Sequence, residues 1–317
     1  MSNELDFTGE RFVPGAAGEI WYEHWHRYHF AAGLVAGRDV LDVACGEGYG
    51  SALLARNARR VTGADIAQAA IDHARARYSS IGNLEFRQAD CTALPFPDAC
   101  FDTVVSFETI EHVAAQKGFL DEARRVLRPD GIIVISCPNK VEYTDKRGVT
   151  NEFHVRELYR DELAALLAPR FAHTAWYGQR PSFYSVIWPE RGEVRGEIFE
   201  IAEAAADAPT PGHARPLYFI VVGSAAKESI AGITPLVSVL ADRDEWVYRN
   251  YADVTRAFVA AQKRDAANGG SEVELTRLAA EISRAHTEIT RRASFRWWLK
   301  LPLRRLLRAL KGLPPDG

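Results

Sequence analysis

Two carboxylates and an imidazole stand close together in Phe107-Glu108-Thr109-Ile110-Glu111-His112-Val113. An imidazole that titrates near neutrality can take a proton from a hydroxyl, and a nearby carboxylate can orient it or hold a divalent ion. His112 is therefore read as a general base, with Glu108 and Glu111 orienting it or holding Mg²⁺. The alternative is that Glu111 and His112 only cap and salt-bridge the helix that follows. His154, within Asn151-Glu152-Phe153-His154-Val155-Arg156-Glu157, is a second base candidate, against a purely structural role at the start of the next helix. His24, His26 and His29 supply three more imidazoles, but helical spacing spreads them around a helix, which argues against a shared metal.

The other chemically informative stretch is Val40-Leu41-Asp42-Val43-Ala44-Cys45-Gly46-Glu47-Gly48-Tyr49-Gly50-Ser51. A short apolar strand runs into glycines and then a helix. Glycines let the backbone approach a ligand closely, and a helix start offers unsatisfied N–H groups. Asp65 ends the next strand, where a carboxylate can accept both hydroxyls of a ribose. Asp90-Cys91 ends the third strand and could meet an adenine edge. A nicotinamide enzyme is the rival, but its G-x-G-x-x-G/A spacing is broken here, with Ser51 in the third small position and Gly50 out of register. Asp42 also lies four residues before the first glycine, where a carboxylate suits an ammonium group better than a pyrophosphate. S-adenosyl-L-methionine is such a ligand.

Elements that could position these residues alternate along the chain. Strands are expected at 40–44, 60–65, 83–90, 101–107, 131–136 and 216–222, with helices at 50–57, 67–78, 119–127 and 160–167. Such alternation predicts an α/β fold with a doubly wound, mostly parallel sheet. With 317 residues, 47% of them hydrophobic, the chain can bury a core, so disorder as a whole is excluded. No apolar run approaches the ~20 residues of a membrane span. The acidic start Met1-Ser2-Asn3-Glu4-Leu5-Asp6 does not read as a signal peptide, and four cysteines without C-x-x-C pairing suggest reduced thiols in a cytoplasmic protein. The net charge of −3 hides an asymmetry: the last 27 residues carry eight Lys/Arg against one Asp, so the preceding 290 sum to −10. An acidic body argues against nucleic acid as a partner.

The motifs together resemble the class I S-adenosylmethionine-dependent methyltransferases over residues 30–225. Leu41 to Gly48 is similar to their first motif, Asp65 to their ribose-binding acid and Asp90-Cys91 to their adenine-side motif. Phe101-Asp102-Thr103-Val104-Val105 and Leu127 to Ile135 are similar to their fourth and fifth strands. The resemblance implies a seven-stranded Rossmann-like sheet, with Asp42, Ala44, Gly46, Gly48, Asp65, Ile66, Asp90, Cys91 and Phe107 about the cofactor. It also implies a lid over residues 1–29, from which Arg27 or Tyr28 meets the cofactor's carboxylate. E-x-x-E-H segments occur in similar O-methyltransferases, linked there to a base or a divalent ion. The N/D-P-P-Y/F signature of amino-group methylation is replaced by Ser106-Phe107-Glu108, which favours an oxygen or carbon acceptor.

Beyond residue 225 we expect a C-terminal helical extension: a connector at 226–270, a short heptad-like helix at 271–292 and a basic amphipathic tail at 293–317. Segment 271–292 suits self-association or a glycan-assembly partner. In the tail, Leu303, Leu306, Leu307 and Leu310 share one helix face, with Arg304, Arg305, Arg308 and Lys311 opposite, a pattern for peripheral contact of Phe295–Lys311 with an anionic membrane. The whole chain also resembles bacterial methyltransferases encoded with cell-surface polysaccharide assembly, through Phe7–Pro14, Glu23–Tyr28, Asn151–Glu157 and Ser294–Arg304. That likeness implies a sugar hydroxyl on a nucleotide- or lipid-linked glycan, methylated at the inner face of the membrane. Alternatives are a quinone or other small-molecule methyltransferase, or a non-catalytic cofactor-binding scaffold in glycan assembly.

Overall fold

The computed structural model describes residues 19–148, 150–182, 199–200, 210–211, 215–231, 233, 237–240 and 254–260. The expected heptad helix and basic tail lie outside these residues, as do the N-terminal motif at 7–14, Val149 and most of the span 183–214. Residues 19–238 belong to one compact unit. In a second unit, residues 254–260 are helical.

Seven strands form one sheet: β1 (Asp39–Val43), β2 (Arg60–Asp65), β3 (Leu84–Gln88), β4 (Phe101–Ser106), β5 (Leu127–Pro138), β6 (His173–Gln179) and β7 (Tyr218–Ser224). Their order is β3-β2-β1-β4-β5-β7-β6. β7 runs antiparallel to β5 and to β6, and the other pairs are parallel. The chain winds outward from β1 in one direction and from β4 in the other, so β1 and β4 mark the switch point where ligands bind such sheets. The central strands are apolar on both faces because helices cover both. Every residue of β1 is buried, as are Gly131 to Pro138 of β5 and the whole of β7.

The helices are α1 (Glu19–Ala32), α2 (Tyr49–Leu54), α3 (Gln68–Arg77), α4 (Gln116–Val126) and α5 (Arg160–Leu167). In α4, Phe119, Leu120, Ala123 and Val126 lie on one buried face, while Arg124 and Arg125 supply charge to its last turn.

Several boundaries differ from the sequence expectation. The helix expected at 119–127 starts at Gln116 and gives way at Leu127 to the 12-residue β5. α1 crosses the expected boundary at 29/30, because Phe30, Ala31 and Ala32 continue the helical register of the aromatic segment. β6 was not expected. It is an edge strand whose residues are mostly only partly buried, so it lacks the apolar run that marks its neighbour β7. Among the described residues no helix is long and apolar enough to cross a membrane, and all four cysteines are free.

Candidate active site

The turn after β1 carries three residues with positive φ: Ala44 at 59°, Gly46 at 58° and Gly48 at 87°. A left-handed backbone disfavours side chains, and at Gly48 a Cβ would also lie 2.6 Å from the Phe86 ring. Asp65, at the end of β2, ties this turn in place. Its Oδ2 accepts the Gly46 N–H at 2.9 Å and its Oδ1 the Ala67 N–H at 2.9 Å. Next to it Ile66 is 67% exposed, an apolar side chain left at the carboxyl end of the sheet. Asp90 accepts the Thr92 N–H and hydroxyl on Oδ1, which holds its carboxyl below the ordinary range. Burial, then the Asp90 charge, push the half-buried Cys91 thiol up to about 11, so it stays neutral. A carboxylate, an exposed isoleucine and a neutral thiol around a glycine turn fit the ribose and base of an adenosine.

α1 closes over this turn. A Cβ at Gly50 would fall 2.0 Å from the Tyr28 ring, so Gly50 serves the packing of α1 on α2. Tyr28 donates its hydroxyl to Asp42 Oδ1 at 3.1 Å, and Ser51 donates to Asp42 Oδ2 at 2.6 Å. Asp42 is fully buried between them. Through these two bonds the Asp42 carboxyl anchors α1 to the glycine turn. Tyr28, expected as one of two groups for the cofactor's carboxylate, has its hydroxyl committed to Asp42. Arg27 remains for that role. His24 and His26 go separate ways, to the Tyr49 hydroxyl at 3.0 Å and the Ser238 hydroxyl at 2.9 Å.

Burial pushes the Asp42 carboxyl from 3.8 to about 7, against the two hydrogen bonds that favour its charge. Between those pH values the folded chain keeps a proton that the unfolded chain has released. Stability therefore falls as pH rises through this window and levels off above it. At ~1.4 kcal/mol per pH unit the term reaches ~4 kcal/mol. Thermal unfolding at pH 5 and pH 8 is expected to show a smaller drop in Asp42→Asn than in the parent chain. Equal drops in the two proteins would remove the assignment.

The acceptor side follows β4. Phe107 is buried and meets the Tyr28 ring edge-on at 5.0 Å. Glu108 has φ of +49°. Its Oε1 accepts the Ser136 hydroxyl at 2.8 Å and lies 3.2 Å from Arg27 Nη1, while its N–H donates to Ser136 Oγ at 3.2 Å. A 3-10 turn, Ile110–His112, comes next. Glu111 is 1% exposed and, among the described residues, neither carboxyl oxygen has a hydrogen-bond partner. Burial, then Glu108, push its carboxyl well above the ordinary carboxylate range.

The two imidazoles differ. His112 Nδ1 lies 3.0 Å from the Phe153 carbonyl, which fixes the proton on Nδ1 and the lone pair on Nε2. His154 Nδ1 lies 2.6 Å from Glu157 Oε1, and its Nε2 lies 3.0 Å from Asn151 Nδ2. Both His154 nitrogens thus have partners, and through Asn151 and Glu157 the ring helps to hold the loop that carries Phe153. The loop is stitched further to the turn: Val155 and Arg156 N–H donate to the Glu111 carbonyl, and the Gln116 amide donates to the carbonyls of Ile110 and Arg156. Tyr143, from a π turn at Val141–Asp145, and Tyr218, from β7, pack beside this group.

Among known proteins, a family described as Methyltransferase domain matches residues 41–135. A relative from Mycolicibacterium smegmatis, described as a probable S-adenosylmethionine-dependent methyltransferase, is 44% identical over 53% of this chain and 65% of its own. The chain thus spans a little under two thirds of that relative's length. A demethylmenaquinone methyltransferase of Clavibacter sepedonicus is 43% identical over 33% of this chain and 43% of its own. A fatty-acid O-methyltransferase of M. smegmatis is 40% identical over 38% and 42%. Residues 41–135 thus match a methyltransferase domain, and the relatives that align with this part of the chain include a probable S-adenosylmethionine-dependent methyltransferase.

Within the matched stretch the expected cofactor residues Ala44, Gly46, Gly48, Asp65, Ile66, Asp90, Cys91 and Phe107 stand at the carboxyl ends of β1 to β4. Glu108, Glu111, His112 and His154 gather beyond β4. Ligand atoms of Glu111, His112 and His154 lie within 4.8 Å of one another. Two imidazole nitrogens and one carboxyl are a poor donor set for Mg²⁺, which prefers oxygen. Glu108, the other expected Mg²⁺ ligand, is engaged by Arg27 and Ser136. The residues present therefore do not fit Mg²⁺. Ser136, Tyr143 and Tyr218 were not anticipated. They reach the site from 28 to 110 positions beyond Glu108, and no local motif marks them.

Proposed function

We propose that this chain is an S-adenosylmethionine-dependent methyltransferase that acts on a hydroxyl oxygen of a small molecule, with His112 as general base. The carrying observation is the Nδ1 contact of His112 with the Phe153 carbonyl, which directs basicity to Nε2 just after β4. S-adenosylmethionine, when bound, supplies the activated methyl group. Asp65 accepts the ribose hydroxyls, Ile66 and Cys91 flank the base, and Arg27 meets the carboxylate. His112 Nε2 takes the proton from the acceptor hydroxyl as its oxygen attacks in line. Phe107, Tyr28 and Tyr218 keep water from the reacting groups.

The demethylmenaquinone and fatty-acid methyltransferases among the relatives favour a quinone or other small-molecule acceptor. The sugar hydroxyl of a surface glycan, with a cytoplasmic or peripheral membrane location, rests on the sequence motifs alone.

The test incubates the purified full chain with labelled S-adenosylmethionine and a demethylated quinol, a free fatty acid or a nucleotide-linked sugar. A methylated product from one of them, absent in His112→Ala, supports the proposal. Label on an amine or carbon instead of oxygen would overturn it. Cofactor binding without transfer to anything in a whole-cell extract would leave the scaffold reading.

A further inference from the structure

We infer that Glu108 stands on Arg27 in the place that the cofactor's carboxylate takes, so that the two carboxylates exchange on one guanidinium. The inference rests on the cofactor reading above. Arg27 is 1% exposed. Its ionic contact is Glu108 Oε1 at 3.2 Å, and its guanidinium lies over the Tyr218 ring, 4.7 Å from the centroid. Among the described residues none of Nε, Nη1 and Nη2 finds a well-aligned hydrogen bond. A guanidinium has five donors, and leaving buried donors unmade costs ~1–3 kcal/mol each. An anion that offers two aligned oxygens would satisfy it better than Glu108 does.

Position identifies the anion. Arg27 also faces Tyr49, the first residue of α2, and Glu23 on its own helix. It therefore spans the gap between the glycine turn and the end of β4. An adenosine seated on Asp65 and Ile66 extends its amino-acid end across this gap, towards the guanidinium. Glu108 is built to give way without drifting. Its left-handed backbone is uncommon for a side-chain-bearing residue, and the reciprocal hydrogen bonds with Ser136 hold it whether or not Arg27 stays. Once Arg27 is taken, Glu108 stays on Ser136, beside the ligand's amino-acid end and the acceptor. Loading of the cofactor thereby sets the charge at the acceptor site, and ligands without the carboxylate leave the pair closed.

Binding, measured by calorimetry without turnover, tests this. The probes are S-adenosylhomocysteine and 5′-methylthioadenosine, which lacks the amino-acid end. The parent chain should bind the first at least ~10-fold more tightly, a charge-assisted bond being worth ~1.5–3 kcal/mol. Arg27→Gln should erase that preference while still binding 5′-methylthioadenosine. Glu108→Gln should tighten S-adenosylhomocysteine several-fold, because the resident competitor has lost its charge, and leave 5′-methylthioadenosine unchanged. Glu108→Asp, which withdraws the charge, should give a smaller gain and covers the case of an unfolded glutamine variant. Unchanged or weaker binding of S-adenosylhomocysteine by the folded Glu108 variants would overturn the exchange. If the parent chain binds neither probe, the cofactor reading itself fails.

Discussion

His112→Ala is expected to lose ~10²–10⁴-fold in kcat, the span associated with a positioned general base, while binding S-adenosylhomocysteine as the parent chain does. The separation follows from geometry. His112 belongs to the turn after β4 and bonds to Phe153, whereas the residues proposed for the adenosine stand at the ends of β1, β2 and β3. His154→Gln should cost less. It breaks the link to Glu157, loosens the loop that holds the Phe153 carbonyl, and so shifts the pH profile of kcat without removing the base. Equal losses in the two variants, with the same pH profile, would mean that both imidazoles are structural and that another group takes the proton. Full activity in His112→Ala would remove the base assignment outright.

The glycine turn and the strand ends around it were legible because their signals are local. The stretch Asp42 to Ser51 pairs an apolar strand with glycines that need left-handed backbone, and Asp65 falls at the end of the next strand by simple alternation. What the local pattern hides is which group each side chain finds. Asp42 reads as a ligand contact, and the local pattern does not show that Tyr28, 14 residues upstream, and Ser51 donate to its two oxygens. His154 reads as a second base candidate or as a residue of the next helix start, and its partners Asn151 and Glu157 come from its own loop. Gly50 reads as a broken dinucleotide glycine, and its reason lies in a ring packed on it from α1. Strand β6 escaped for the complementary reason. An edge strand buries little, so His173 to Gln179 shows neither the apolar run of β7 nor clean alternation. The acceptor side is the least legible part, since Ser136, Tyr143 and Tyr218 converge there through the crossing order of β4, β5 and β7.

Asp65→Ala is expected to weaken cofactor binding by at least ~10²-fold, the loss of two charge-assisted hydrogen bonds at ~1.5–3 kcal/mol each. The ribose hydroxyls lose their acceptor, and the N–H groups of Gly46 and Ala67 lose theirs, so the glycine turn also loosens. Asp65→Asn separates the two contributions. One amide oxygen can still hold a backbone N–H or a ribose hydroxyl, so binding should fall less and the turn should keep its shape. The pattern across ligands distinguishes this residue from Arg27. Ribose recognition serves every adenosine ligand, so Asp65→Ala should weaken S-adenosylhomocysteine and 5′-methylthioadenosine by the same factor. Loss of Arg27 should weaken only the ligand that carries a carboxylate. If Asp65→Ala binds both probes like the parent chain, the adenosine sits elsewhere, and the glycine turn serves packing alone.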